Sequence, residues 1–110
     1  MAYQIVSRGV ELTDDVERHV LDKIGKIDKF LTDLPDDGFL LRIALSRNQA
    51  NPHWADALLD LDLPPDTLWA RGSASSPVHA VHLAVIDLER QLEERKEKLR
   101  PYISRGRKRG

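Results

Sequence analysis

Two stretches of strict alternation constrain this chain more than any other feature. Phe39, Leu41, Ile43 and Leu45 alternate with Leu40, Arg42, Ala44 and Ser46. Further on, Ala55, Ala57, Leu59, Leu61 and Leu63 alternate with Trp54, Asp56, Leu58, Asp60 and Asp62. A period of two sends successive side chains to opposite faces of an extended backbone. Each stretch therefore predicts a strand with one apolar face, and residues 48–52 predict the loop between them. A sheet built on this pair needs a cover for its apolar side, and the rest of the sequence has to supply it.

The cover is written at a different period. Val16, Val20, Ile24, Ile27 and Leu31 recur at helical spacing behind Thr13, whose hydroxyl can cap the helix. Asp14, Asp15 and Glu17 suit the positive end of the helix dipole. Pro77 suits the first turn of a second helix. Its stripe is Val78, Val81, Val85, Leu88, Leu92 and Leu99, and it is predicted to stop before Pro101. Residues 3–8, rich in β-branched side chains and followed by Gly9, predict a first strand. Pro35, Asp36, Asp37 and Gly38 predict a turn, as do Pro64, Pro65 and Asp66, and residues 67–75 predict a last strand. The order is β-α-β-β-β-α, an α+β fold with two helices packed on one face of a four-stranded sheet. Residues 1–100 are expected to form a single domain, and residues 101–110 a short basic tail.

Composition narrows the chemistry. With 110 residues the chain fits one domain, and without cysteine it has no disulfide and no thiolate metal site. That suits a reducing cytoplasm. The first residues lack a basic segment followed by a long apolar run, and no stretch reaches the ~18 apolar residues of a membrane span. The net charge of −1 conceals an asymmetry. Arg105, Arg107, Lys108 and Arg109 make the end of the chain basic and leave the body at −5. Such a tail either seeks phosphate-rich partners or is simply a solvated end.

Catalysis and metal binding find little footing. His79 and His82, at i and i+3, can share a metal only with a third ligand, and none is evident beyond the loop residue His53. Asp56, Asp60 and Asp62 alternate on one strand face, where solvation is the default reading. Gly9, Gly25, Gly38 and Gly72 are too scattered for a phosphate-cradling loop, and no nucleophile motif is present. The chain is read as a non-enzyme without cofactor, metal or small-molecule substrate. Its outer sheet face is predicted to carry Trp54, Trp69, Leu58, Arg42 and Arg71. Those tryptophans can stack on bases, form a cross-strand pair, or belong to a protein interface. The acids on that face favour the last two.

Two segments carry a likeness to a known family. They are RGVELTDDVERHVLDKIGKIDKF at residues 8–30, and LPPDTLWARGSAS with AVHLAVIDLERQLEERKEKLR at residues 63–75 and 80–100. The chain resembles the ribosome hibernation-promoting factor and ribosome-associated inhibitor family, also called sigma-54 modulation proteins, in its short form. The resemblance implies a β-α-β-β-β-α domain seated on the small ribosomal subunit and its rRNA. There it would lie in the channel of messenger and transfer RNA, and it would block translation in stationary phase or stress. It also implies a cytoplasmic protein with no DNA or membrane partner, and no added C-terminal dimerisation domain.

The same resemblance singles out residues. Lys23 and Lys26 lie on one flank of the first helix near His19, with Lys29 further round, and the family has lysines at these three places. Alone, that flank reads equally as a solubilising face salted with Asp22 and Asp28. In the second helix Arg90, Lys96, Lys98 and Arg100 match basic family positions, and Arg95 adds a guanidinium able to grip phosphate with two hydrogen bonds. Asp87, Glu93 and Glu94 depart from the pattern, and with Glu89 and Glu97 they make this helix roughly neutral. The basic tail is expected to compensate. Rival readings are another RNA-binding module, such as a double-stranded RNA reader, and a protein-interaction domain using the outer sheet.

Overall fold

A computed structural model describes residues 2–31, 40–63 and 66–109, with side chains for residues 3–31, 40–63 and 66–95. The elements are β1 (Ala2–Arg8), α1 (Asp14–Ile24), a 3-10 segment (Gly25–Phe30), β2 (Leu40–Arg47), β3 (Ala55–Leu63), β4 (Asp66–Ala74) and α2 (Pro77–Arg109). The predicted order and fold class are those observed. The turn at Pro35 to Gly38, Phe39, and the two prolines Pro64 and Pro65 lie outside the described residues.

The strands form one sheet in the order β1-β2-β3-β4. β2, β3 and β4 are antiparallel neighbours, as alternation and short connections dictate. β1 runs parallel to β2. Parallel neighbours need a crossover, and α1 with the segment after it supplies one. Gly9 takes a φ of 73°, a left-handed turn out of β1 that a side chain would oppose.

The alternation sorts the sheet as expected. Leu41, Ile43, Leu45, Leu59 and Leu61 are almost wholly buried beneath Val20, Ile24 and Ile27 of the first helical region and Val81, Val85 and Leu88 of α2. Each such side chain contributes on the order of 1.5–3 kcal/mol when removed from water. α2 lies unusually close to the sheet at Gly72. A β-carbon there would stand 2.2 Å from the carbonyl oxygen of Ala80 and 2.8 Å from the amide nitrogen of Ala84. Ala80 and Ala84 are both fully buried. Small residues on both elements let backbone meet backbone, and this contact sets the height of α2 above β4.

Both helix starts are capped by hydroxyls. Thr13 Oγ1 accepts from the amide of Val16 at 3.1 Å, as predicted, and Ser76 Oγ accepts from the amide of His79 at 3.2 Å. Two helical details depart from expectation. The first helical region does not remain α-helical to Leu31, because from Gly25 it tightens into a 3-10 turn. Ile24 and Ile27 are three apart, Phe30 follows at the same spacing, and a 3-10 helix stacks residues at i and i+3. The tighter winding thus keeps both isoleucines in the core. The second departure is that α2 continues past Pro101 to Arg109, where the sequence predicts a stop. Proline removes one amide and crowds the preceding turn, at about 3 kcal/mol in a helix interior, yet a regular helix can absorb one.

Candidate nucleic-acid interface

The predicted cations separate into two groups once they are placed on the fold. Lys23 lies in the last turn of α1, and Lys26 and Lys29 lie in the 3-10 segment. On an α-helical wheel Lys29 is turned about 60° further round from Lys26. Three residues per turn instead bring the two into one row. Lys29 Nζ then reaches across to Glu89 Oε2 of α2 at 3.5 Å and lies 5.2 Å from the centroid of the Phe30 ring. This contact ties the first helical region to α2. Lys23 and Lys26 form no ion pair among the described residues.

Facing the lysines, α2 presents His82. Partial burial holds its imidazole below the ordinary histidine range, and the charges of Lys23, Lys26 and His79 push in the same direction, against Glu89. The neighbouring His79 ring is 5.9 Å away between centroids. Lys23, Lys26 and His79 therefore outnumber Glu89 among the charges around His82. His19, which the sequence places near these lysines, instead turns Nδ1 to the carbonyl of Asp15 at 2.7 Å.

The arginines of α2 go elsewhere. Arg95 pairs with Asp66, the first residue of β4, at 3.1 Å. Arg90 pairs with Asp87 at 2.6 Å, and Asp87 also accepts from Gln91, which donates to the carbonyl of Trp69 on β4. Asp87, Gln91 and Arg95 thus clamp α2 to the sheet edge, on the flank away from α1. Arg90 and Arg95 are thus each engaged by a carboxylate, unlike Lys23 and Lys26. Of the acids noticed as departures on α2, Asp87 engages Arg90. Lys96, Lys98, Arg100 and the basic end lie beyond the residues with described side chains.

The outer sheet face is a largely matched polar surface, apart from Asp60 Oδ1, which is buried without a hydrogen-bond partner among the described residues. Arg42 lies 3.6 Å from both Asp60 and Asp62. Thr67 donates to Asp62 at 2.9 Å. Asp56 accepts from Ser73 at 2.5 Å and from Asn48 at 2.9 Å. These bonds, and then the charge of Arg71, hold its carboxyl below the usual carboxylate range against a smaller opposing effect of burial. Trp69 is 58% exposed and stands opposite Asp60 in the ladder. Trp54 precedes β3, in a loop whose backbone bonds join it to Asn48 and Asn51. The tryptophans are not a cross-strand pair, since the partner of Trp69 is an aspartate. A depression on this face is lined by Ala44, Ser46, Leu58 and Arg71 together with Asp56, whose carboxyl is already engaged by Ser73 and Asn48.

Among the described residues no three histidines or carboxylates gather where a metal ion could sit, and no helix is long and apolar enough to cross a membrane. The lysines of this candidate surface were named from the sequence. The missed parts were Glu89 and His82, whose spacing of seven along α2 puts them on the flank that faces α1, a signal visible once that flank is known.

Comparison with known proteins agrees with this architecture. Residues 3–100 match the family model described as Sigma 54 modulation protein / S30EA ribosomal protein. The fold is similar to the N-terminal domain of Protein Y from Thermus thermophilus, with 24% identity over 84% of this chain and 96% of that one, and a TM-score of 0.67. It is similar also to a ribosomal subunit interface protein from Coxiella burnetii, with 21% identity over 88% of this chain and 99% of that one, and a TM-score of 0.70. No curated protein matches the chain in sequence. Since the family model spans nearly the whole chain, from the first strand deep into α2, this protein belongs to the Sigma 54 modulation protein / S30EA ribosomal protein family.

Proposed function

We propose that this protein binds the small ribosomal subunit in the channel used by messenger and transfer RNA and blocks translation by occupying it. Family membership supplies the ribosome, and the observation that carries the reading is the row formed by Lys23, Lys26 and Lys29. Ammonium groups held in line on a packed helix follow a phosphate backbone and release its counterions. Lys23 and Lys26 are the primary contacts, because Lys29 is partly neutralised by Glu89. Lys96, Lys98 and Arg100, which match basic family positions, add further cations, and the basic end adds attraction that does not depend on RNA sequence. Arg90 contributes from its exposed position beside Asp87, while Arg95 acts mainly on the fold by fastening α2 to Asp66. Such a protein acts in the cytoplasm, as a hibernation factor of stationary phase or stress, by occupancy and without turnover.

The test is sedimentation with purified ribosomes over a salt series. Charge reversal by Lys23→Glu with Lys26→Glu is expected to weaken binding about a hundredfold and to lower the salt slope by roughly two counterions. A Trp69→Ala variant is expected to bind as the parent does. Equal binding of the reversed and parent proteins would remove the lysine row from the interface. Loss of binding in the tryptophan variant alone would transfer the role to the outer sheet.

A further inference from the structure

His79 and His82 take no part in the reading above, yet they stand on its surface. His82 is half-buried, and its Nδ1 is sequestered without a hydrogen-bond partner among the described residues. His79 is exposed, its ring 5.9 Å away. The charged groups facing His82 are Lys23 from α1, Lys26 from the 3-10 segment, and His79 and Glu89 from α2 itself. β3 and β4, on which α2 rests, turn apolar side chains inward, apart from Asp66, which Arg95 engages. An imidazole set beside two lysines, with its Nδ1 sequestered, lacks the counter-charge that an anion arriving at those lysines brings.

We propose that His82, with His79 beside it, is the proton-linked part of the phosphate-binding surface: RNA phosphates laid over Lys23 and Lys26 draw a proton onto His82, so the complex tightens as pH falls. The inference rests on the reading that this surface meets ribosomal RNA. Its physics is linkage. In the free protein the lysines oppose protonation of the imidazole, and partial burial adds to that opposition. Phosphates neutralise the lysines and reverse the local potential, so the bound protein holds its proton at higher pH than the free one. Binding then takes up a proton. The gain in affinity appears as pH falls through the bound-state pKa and levels off below the depressed free-state pKa.

The full-length protein is to be titrated against purified small ribosomal subunits at constant salt, near pH 6 and near pH 8. The dissociation constant is expected to be about three- to tenfold lower at the acid end. His82→Gln is expected to bind with no such dependence. His53→Gln, changed in the remote β2–β3 loop, is expected to keep it. A pH dependence that survives in His82→Gln overturns the proposal. So does a parent protein whose lysine-dependent binding is flat with pH, an outcome that leaves the ribosome reading standing. No binding at either pH, or binding indifferent to reversal of Lys23 and Lys26, defeats both. The parent protein also gives a test that needs no variant. The imidazole Cε1–H resonance of His82, followed by NMR with and without a short oligouridylate, should titrate at higher pH when the RNA is bound, and an unchanged midpoint overturns the proposal.

Discussion

The two faces of this molecule both carry charge, but they treat it differently. On the outer sheet face each carboxylate has a partner: Asp60 and Asp62 share Arg42, and Asp56 is held by Ser73 and Asn48. On the helical side, Lys23 and Lys26 stand together with no carboxylate partner among the described residues, beside a histidine they discourage from charging. Matched charges are finished within the fold and have little left for a ligand. Adjacent like charges raise the local potential and await counterions, which is the condition a polyanion exploits. The sum of charges, −1 for the chain, says nothing of this division.

The most severe way to break the comparison is to remove the support that both faces share. Gly72 lies on the inner side of β4, and α2 passes so near that any side chain must displace helix backbone. Gly72→Val is expected to cost about 3 kcal/mol or more, beyond the usual range for overpacking because backbone rather than a side-chain tip must yield. Urea denaturation followed by circular dichroism measures it. A variant within about 0.5 kcal/mol of the parent would mean that α2 is not seated where the lysine surface requires.

A milder test separates the faces. Asp60→Asn with Asp62→Asn takes both carboxylate partners from Arg42 and leaves the helical side untouched. Exposed pairs of this kind are worth about 1 kcal/mol or less, so the denaturation midpoint should move only slightly. Affinity for the small subunit should change less than about twofold, against about a hundredfold for reversal of Lys23 and Lys26. A gain approaching tenfold would show that the carboxylates had been repelling RNA from the outer face, and the division of labour argued above would fall.

Most of the architecture was legible because burial obeys period. Alternation in residues 55–63 placed every inward side chain of β3, and Thr13 marked the start of α1 by its cap. The position of β1 beside β2, parallel, was not legible, since pairing of remote strands leaves no local trace. The site was legible in part. The lysines could be listed, but their alignment depended on a change from α to 3-10 winding at Gly25, which a helical wheel assumes away. The ion pairs of the α2 arginines were not legible for a related reason. Charge counted along a helix does not reveal that Asp66, on another element, waits for Arg95.

A last test bears on Glu89, the carboxylate that α2 sets against Lys29. Glu89 fastens Lys29 at 3.5 Å, and its side chain is only 23% exposed. Two consequences follow from Glu89→Gln, and both act in the direction of charge. Lys29 is released to meet phosphate, and the surface becomes one unit more positive. Affinity for the small subunit should therefore rise about two- to threefold, with a steeper salt dependence. Glu89 is also the one group that favours the charged form of His82. Without it, the free imidazole should titrate at still lower pH, which NMR of the Cε1–H resonance can follow. If the carboxylate instead serves mainly to hold the 3-10 segment against α2, the same variant will bind more weakly and melt earlier. The sign of the change in affinity thus decides whether Glu89 restrains the lysine surface or builds it.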